Sequence, residues 1–123
     1  MLEVRFPVDV VHDVPVVTAP EEIDATNAHR FRVALVKAAA GRPPALVVDM
    51  TRTRFCDSAG LRVLVNAHKR ALAEGGAVLL AVPCAAVLRV LTITGIDQVL
   101  PHFASLDEAL AHAIESADGQ AAG

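Results

Sequence analysis

Asp57 and Ser58 are the residues of this chain best placed to do chemistry. In the stretch Asp49-Met-Thr-Arg-Thr-Arg-Phe-Cys-Asp-Ser-Ala-Gly-Leu61 they follow an apolar run, Ala45 to Met50, and a polar turn. They stand at the head of a helical pattern that runs from Leu61 to Leu72. This order reads as a strand, a loop and a helix N-terminus. A serine there is expected to be the N-cap, its oxygen accepting from an unpaired amide of the first turn. The same place favours negative charge, because free N–H groups and the helix dipole both attract anions. Ser58 therefore has two readings: a capping hydroxyl, or a phosphate acceptor.

Other chemistries fit the residues less well. A hydrolase nucleophile elbow needs Gly-x-Ser-x-Gly, but Cys56 stands two before Ser58, and no histidine is placed beside it by spacing. Asp49 and Asp57 suggest an aspartyl phosphate site, but that chemistry needs acidic residues after the first strand to hold a metal ion. Asp9 and Asp13 fall in a hairpin instead. No Gly-x-Gly-x-x-Gly or Walker loop is present, so no bound nucleotide is argued. Cys56 and Cys84 lack CxxC or Cys/His spacing. They read as reduced thiols, with Cys84 packed; a helix N-terminus lowers a thiol pKa, but Asp57 beside Cys56 works against that. No catalytic residue, metal or cofactor is expected, and the carboxylates read as caps and turn formers.

The 123 residues suit one domain with one core. Apolar residues are 54% of the chain and mostly aliphatic, which is a globular composition. A net charge of -3, with no Trp or Tyr, argues against a general nucleic-acid surface. The N-terminus lacks the pattern of a signal peptide and no stretch has the length of a membrane span, so a cytoplasmic protein is expected.

The elements that must position Asp57 and Ser58 follow from periodicity. Val4, Phe6, Val8 and Val10 alternate with Arg5, Pro7 and Asp9, predicting a strand with one buried face, and Pro7 favours a sheet edge. His12-Asp13 is a turn, and Val14 to Thr18 completes a hairpin. Asp24, Thr26 or Asn27 is expected to cap a first helix that buries Ala28, Phe31, Leu35 and Ala38 and ends near Gly41. Ala45 to Met50 reads as a strand covered on both faces. In the second helix Leu61, Leu64, Val65, His68 and Leu72 share a face, with His68 a half-buried structural residue. Arg62, Asn66, Lys69, Arg70 and Ala73 lie opposite.

Gly75-Gly76 ends that helix, and Ala77 to Val82 is another buried strand. A third helix of about ten residues turns Cys84, Val87, Leu88 and Leu91 inward and stops at Gly95. Asp97 to His102 offers at most a short strand. Ser105-Leu-Asp-Glu108 has the form of a capping box and opens a last helix. Its buried stripe is Leu106, Ala109, Leu110, Ala113 and Ile114. The domain is drawn over residues 1–115, and 116–123 are expected to fray.

This order of elements, with Asp57-Ser-Ala-Gly-Leu61 after the third strand, resembles the STAS domain and, more narrowly, bacterial anti-sigma-factor antagonists. The resemblance runs from Val4 to Ala113. It is carried by Glu22-Ile-Asp24, Phe55-Cys-Asp-Ser-Ala-Gly-Leu61, the Gly75-Gly76 pair and Thr94-Gly-Ile96. It implies an α/β fold: a mixed four- to five-stranded sheet with an N-terminal hairpin and about four helices. In such antagonists the serine matching Ser58 is phosphorylated by a partner that is both serine kinase and anti-sigma factor. The unmodified antagonist holds that partner and frees the sigma factor; the phosphorylated one releases it, and a phosphatase can reset it.

Asp57 matches the acid beside the phosphoacceptor, and Asp24 an acidic position near the same surface. The implied partner surface is Asp24, Asp57, Ser58, Ala59, Gly60, Arg62 and Asn66. Two departures stand out: Ala59 replaces the second Ser or Thr of many members, and Thr18-Ala-Pro-Glu21 replaces a Thr-Gly turn. The other reading of the resemblance is a constitutive, unphosphorylated STAS subunit of an ABC-type transporter or another assembly.

Overall fold

A two-residue turn sets the first register. In the computed structural model, which describes residues 6–40 and 45–122 with side chains as far as Glu115, strands β1 (Val8–Val11) and β2 (Val14–Thr18) pair antiparallel with Val11 opposite Val14. His12 and Asp13 take φ of 50° and 66°. Positive φ at both central residues gives the primed turn whose twist matches the strands, and His and Asp tolerate it better than most side chains. The chain continues through β3 (Glu22–Ile23), α1 (Ala28–Ala39), β4 (Ala45–Asp49), β5 (Phe55–Cys56) and α2 (Ser58–Ala73). It then forms β6 (Ala77–Ala81), α3 (Ala85–Ile93), a 3-10 turn (Ile96–Gln98), β7 (His102–Phe103) and α4 (Leu106–Ala122).

The main sheet has the order β1-β2-β4-β6-β7; β2, β4, β6 and β7 are parallel and β1 is the antiparallel edge. Successive strand residues face opposite sides, so a nearly continuous apolar run feeds two cores at once. Val17, Leu46, Val48, Val78 and Leu80 pack with Phe31, Leu35, Leu64, Val87 and Leu91 under α1, α2 and α3. Val16, Val47, Leu79 and Ala81 pack on the other side with Ala109 and Ala113 of α4. The capping-box serine holds the start of α4: the Glu108 N–H donates to Ser105 Oγ at 3.1 Å. The helix takes in residues 116–122 of the stretch expected to fray.

Several expectations are corrected. Val8 and Val10 are exposed, because β1 pairs with β2 alone in the sheet, beyond the reach of the main helix contacts. Val4 and Gly41 lie outside the described residues. Leu72 is 56% exposed. At about 100° per residue the buried stripe of α2 is centred on Leu64, with Gly60, Leu61 and His68 around it, which leaves Val65 and Leu72 on its flank. From Asp97 to His102 the chain leaves the 3-10 turn Ile96–Gln98 and reaches only the two-residue strand His102–Phe103, within the expectation of at most a short strand.

His68 is fully buried, not half-buried. Its Nδ1 accepts the N–H of Val78, the second residue of β6, at 3.1 Å, and a backbone hydrogen bond at Val99 also holds the ring. An Nδ1 that accepts from an amide carries no proton, which places the proton on Nε2. Burial lowers the pKa of the ring from its ordinary value, outweighing the Val99 bond. The folded chain thus binds this proton less readily than the unfolded chain. Its contribution to stability is complete above about pH 6.5, the unfolded value, and is lost as pH falls toward the folded pKa. Urea unfolding between about pH 5 and 7.5 should show stability falling faster on acidification in the wild type than in His68→Asn. Equal slopes would mean that another group titrates.

Candidate functional site

The site is assembled by a two-residue ribbon. Glu22 pairs with Phe55 and Ile23 with Cys56, parallel and apart from the main sheet. The Arg54 and Phe55 N–H groups donate to the Glu21 carbonyl at 2.7 and 3.2 Å, and the Asp57 N–H donates to the Ile23 carbonyl at 3.0 Å. Buried Thr53 adds a bond from its hydroxyl to the Pro20 carbonyl at 2.8 Å. These bonds lay the turn after β3, which carries Asp24, alongside the start of α2, which carries Asp57 and Ser58.

Asp24 and Asn27 shape that turn together. Asp24 Oδ1 accepts the Thr26 N–H at 2.8 Å and also the Thr26 hydroxyl. Asn27, 5% exposed, accepts the Asp24 N–H at 3.0 Å and donates to the Glu22 carbonyl at 2.9 Å. Asn27 stands at the N-cap position of α1, but its side chain serves the turn and makes no cap bond. The Thr26 hydroxyl, more than any other contact, lowers the pKa of Asp24, aided by the Thr26 and Asn27 amides and opposed by burial. Asp49 makes the same kind of turn with Thr51 after β4.

The cap of α2 is Asp57, not Ser58. Asp57 is extended, at φ -87° and ψ -175°, and its Oδ1 accepts the N–H groups of Ala59 at 2.9 Å and Gly60 at 3.1 Å. A cap of this kind contributes about 1 kcal/mol, and its charge suits the dipole. Both residues are good caps by type. The bond from the Asp57 amide to Ile23 holds residue 57 in the extended conformation, and helix begins one residue later. Ser58 is thus the first helical residue, exposed, with a hydroxyl that makes no hydrogen bond among the described residues.

Behind Ser58, Ala59 is half-buried and Gly60 is buried. A Cβ on Gly60 would lie 2.7 Å from both Cys56 Sγ and Ile23 Cγ2, so the absent side chain sets how closely α2 approaches the ribbon. Cys56 is buried; desolvation, with Asp57 adding to it, pushes its thiol up to about 12. Its S–H faces the Asp57 carbonyl at 3.8 Å, and it is inert packing where the sequence left a reactive thiol open.

Arg62 and Asn66, four and eight residues after Ser58, are exposed on the same stripe of α2. The structure therefore brings Asp24, Asp57, Ser58, Arg62 and Asn66 to one surface, with Ala59 and Gly60 as its support. The partner surface expected from the sequence did not include Phe55, Arg52 and Arg54, which are exposed in the segment leading to Asp57. Phe55 is 51% exposed beside Cys56, and Arg52 and Arg54 line a depression of about 390 Å³ with Pro83 and Cys84. An aromatic residue within a polar loop was the available signal.

The arrangement offers a hydroxyl without a hydrogen bond among the described residues, next in sequence to the Asp57 cap and one turn before exposed Arg62. Among the described residues no group of three or more His, Cys, Asp or Glu is placed to hold a metal ion, and no helix is long and apolar enough to cross a membrane.

The chain can be set beside known proteins on these grounds. A family model described as the STAS domain matches residues 5–109. The crystal structure of an anti-sigma factor antagonist from Mycobacterium paratuberculosis is 30% identical, with a TM-score of 0.81 over 89% of this chain and 92% of that one. A protein of Thermotoga neapolitana, provisionally named an anti-sigma factor antagonist, is 29% identical over 106 residues, 85% of this chain and 94% of its own length. A sulfate transporter family protein from Wolinella succinogenes shares the fold at 21% identity and a TM-score of 0.74, over 89% of this chain and 92% of that one.

Proposed function

The chain belongs to the STAS domain family, and from that membership we propose that it is an anti-sigma-factor antagonist switched by phosphorylation of Ser58. The observation that carries this reading is the exposed hydroxyl of Ser58, without a hydrogen bond among the described residues, at the head of α2 next to the Asp57 cap and near the Asp24 turn. The unmodified protein binds an anti-sigma factor with serine kinase activity through Asp24, Asp57, Ser58, Ala59, Gly60, Arg62 and Asn66. Phosphorylation releases that partner, and a phosphatase restores binding. The working unit is the domain over residues 1–115, with 116–123 a tail. It acts in the cytoplasm by binding, without catalysis of its own and without contacting nucleic acid or membrane.

The physical basis is charge. A phosphate adds about -1.5 to -2 near neutral pH. Asp57 already takes the Ala59 and Gly60 amides, so Ser58's own N–H is the only first-turn donor left to it among the described residues. The modification therefore sets a negative charge that the helix amides offset poorly beside Asp57, on a surface that receives a neutral hydroxyl. The fold does not depend on that hydroxyl.

With the kinase-type anti-sigma factor and Mg-ATP, the wild type should gain one phosphate, mapped to Ser58 by mass spectrometry. Ser58→Ala should gain none and still bind. Arg62→Glu should slow association, as rim charges do. Phosphate on another residue would overturn the proposal, and so would unchanged binding by both Arg62→Glu and Asp24→Lys.

A further inference from the structure

A groove opens beside the half of α2 that lies toward its C-terminus. Helices α1 and α2 flank this groove of about 480 Å³, which reaches Ala45 and Ala77, the first residues of β4 and β6. Ser58 sits at the other end of α2. The groove exists because its walls are small: Ala39, Ala40, Ala45, Ala67, Ala71 and Ala77 stand where larger aliphatic side chains would fill the space. Leu35, Val36 and Val63 complete an aliphatic lining with no aromatic ring. Arg32 and Arg70 also line it, both exposed and neither in an ion pair among the described residues, with Glu74 the single acid of the lining and Asn66, at the edge of the Ser58 surface, its one amide side chain. An aliphatic hollow of this volume with a few polar groups is the general form of a small-molecule site. Two guanidinium groups with no ion pair among the described residues favour an anion beside it, and a guanidinium fork matches a carboxylate in geometry.

We propose that this groove binds a single-chain aliphatic carboxylate, its chain along Val36, Val63 and Ala67 and its head group against Arg32 and Arg70. The lining chemistry decides the class. Without a ring to stack on, a flat aromatic ligand gains little, whereas a flexible chain covers the alanine-lined wall. The net positive rim selects the charge of the head.

The test is a titration of the full chain with decanoate below its micellar concentration, followed by methyl resonances. The methyl groups of Leu35, Val36 and Val63 should shift together and saturate. Arg32→Glu/Arg70→Glu, at exposed positions, should bind decanoate about tenfold more weakly or worse, and Ala71→Leu, which fills the groove, should not bind it. The charge-reversed variant keeps the proposal testable if Ala71→Leu disturbs the fold. Decanol binding as tightly as decanoate would overturn the role of the arginines, and acetate binding as tightly would overturn that of the chain. Absence of a saturable shift at the three residues, or shifts unchanged in both variants, would overturn the site.

Discussion

Ser58→Glu is expected to weaken binding of the anti-sigma partner by roughly a hundredfold or more, while the unfolding free energy stays within about 0.5 kcal/mol of wild type. The two halves have separate causes. Ser58 is exposed and its hydroxyl bonds to nothing described, so the fold loses no contact when it is replaced. The cap of α2 survives because Asp57 provides it. The interface, by contrast, must desolvate a new carboxylate beside that of Asp57, and burying an unpaired charge costs about 3–5 kcal/mol. The amides that would offset it in a helix capped by Ser58 are already occupied. Ser58→Gln adds similar bulk without charge and should keep most of the affinity. Calorimetric titration of the partner into both variants, with denaturant unfolding of each, reads the two halves separately. Equal affinities for the Glu and Gln variants would show that charge is not the signal.

Gly60→Ala should destabilise the domain by about 1–3 kcal/mol, although the same change in an unobstructed helix interior would stabilise it by about 1 kcal/mol. The opposite sign makes the measurement decisive. The new methyl would sit 2.7 Å from Cys56 Sγ and Ile23 Cγ2. Both neighbours are core residues, 3% and 0% exposed, with little room to swing aside. The strain is relieved by lifting the start of α2 from the β3–β5 ribbon, which would also spoil the alignment of Ser58 with the Asp24 turn. Cys56→Ala, by removing the sulfur, should recover part of the loss in the double variant. Urea unfolding of the four proteins measures this. A Gly60→Ala protein more stable than wild type would mean that the close approach is not what holds the glycine.

Much of the fold was legible because it depends on local periodicity. The apolar runs of β4 and β6 are long enough to specify buried strands, and the run of β2 with the turn before it specified a hairpin. The stripe Ala28, Phe31, Leu35 and Ala38 specified the buried face of α1, and Ser105 with Glu108 marked the start of α4. The Asp57-Ser-Ala-Gly-Leu61 segment, in its place after the third strand and together with the order of elements, marked the family. What escaped the sequence depends on contacts between distant segments. A two-residue strand has no period to detect, so the β3–β5 ribbon exists only as the pairing of Ile23 with Cys56. Asp57 and Ser58 are equally good caps by type, and the Ile23 carbonyl on the Asp57 amide decides where helix begins. The burial of His68 and the exposure of Leu72 follow from how α2 is rotated against the sheet, which a helical stripe leaves uncertain by one flank. The alanines of α1 and α2 read as ordinary core spacing, and only the separation of the two helices, set by the strands beneath them, leaves a groove between them.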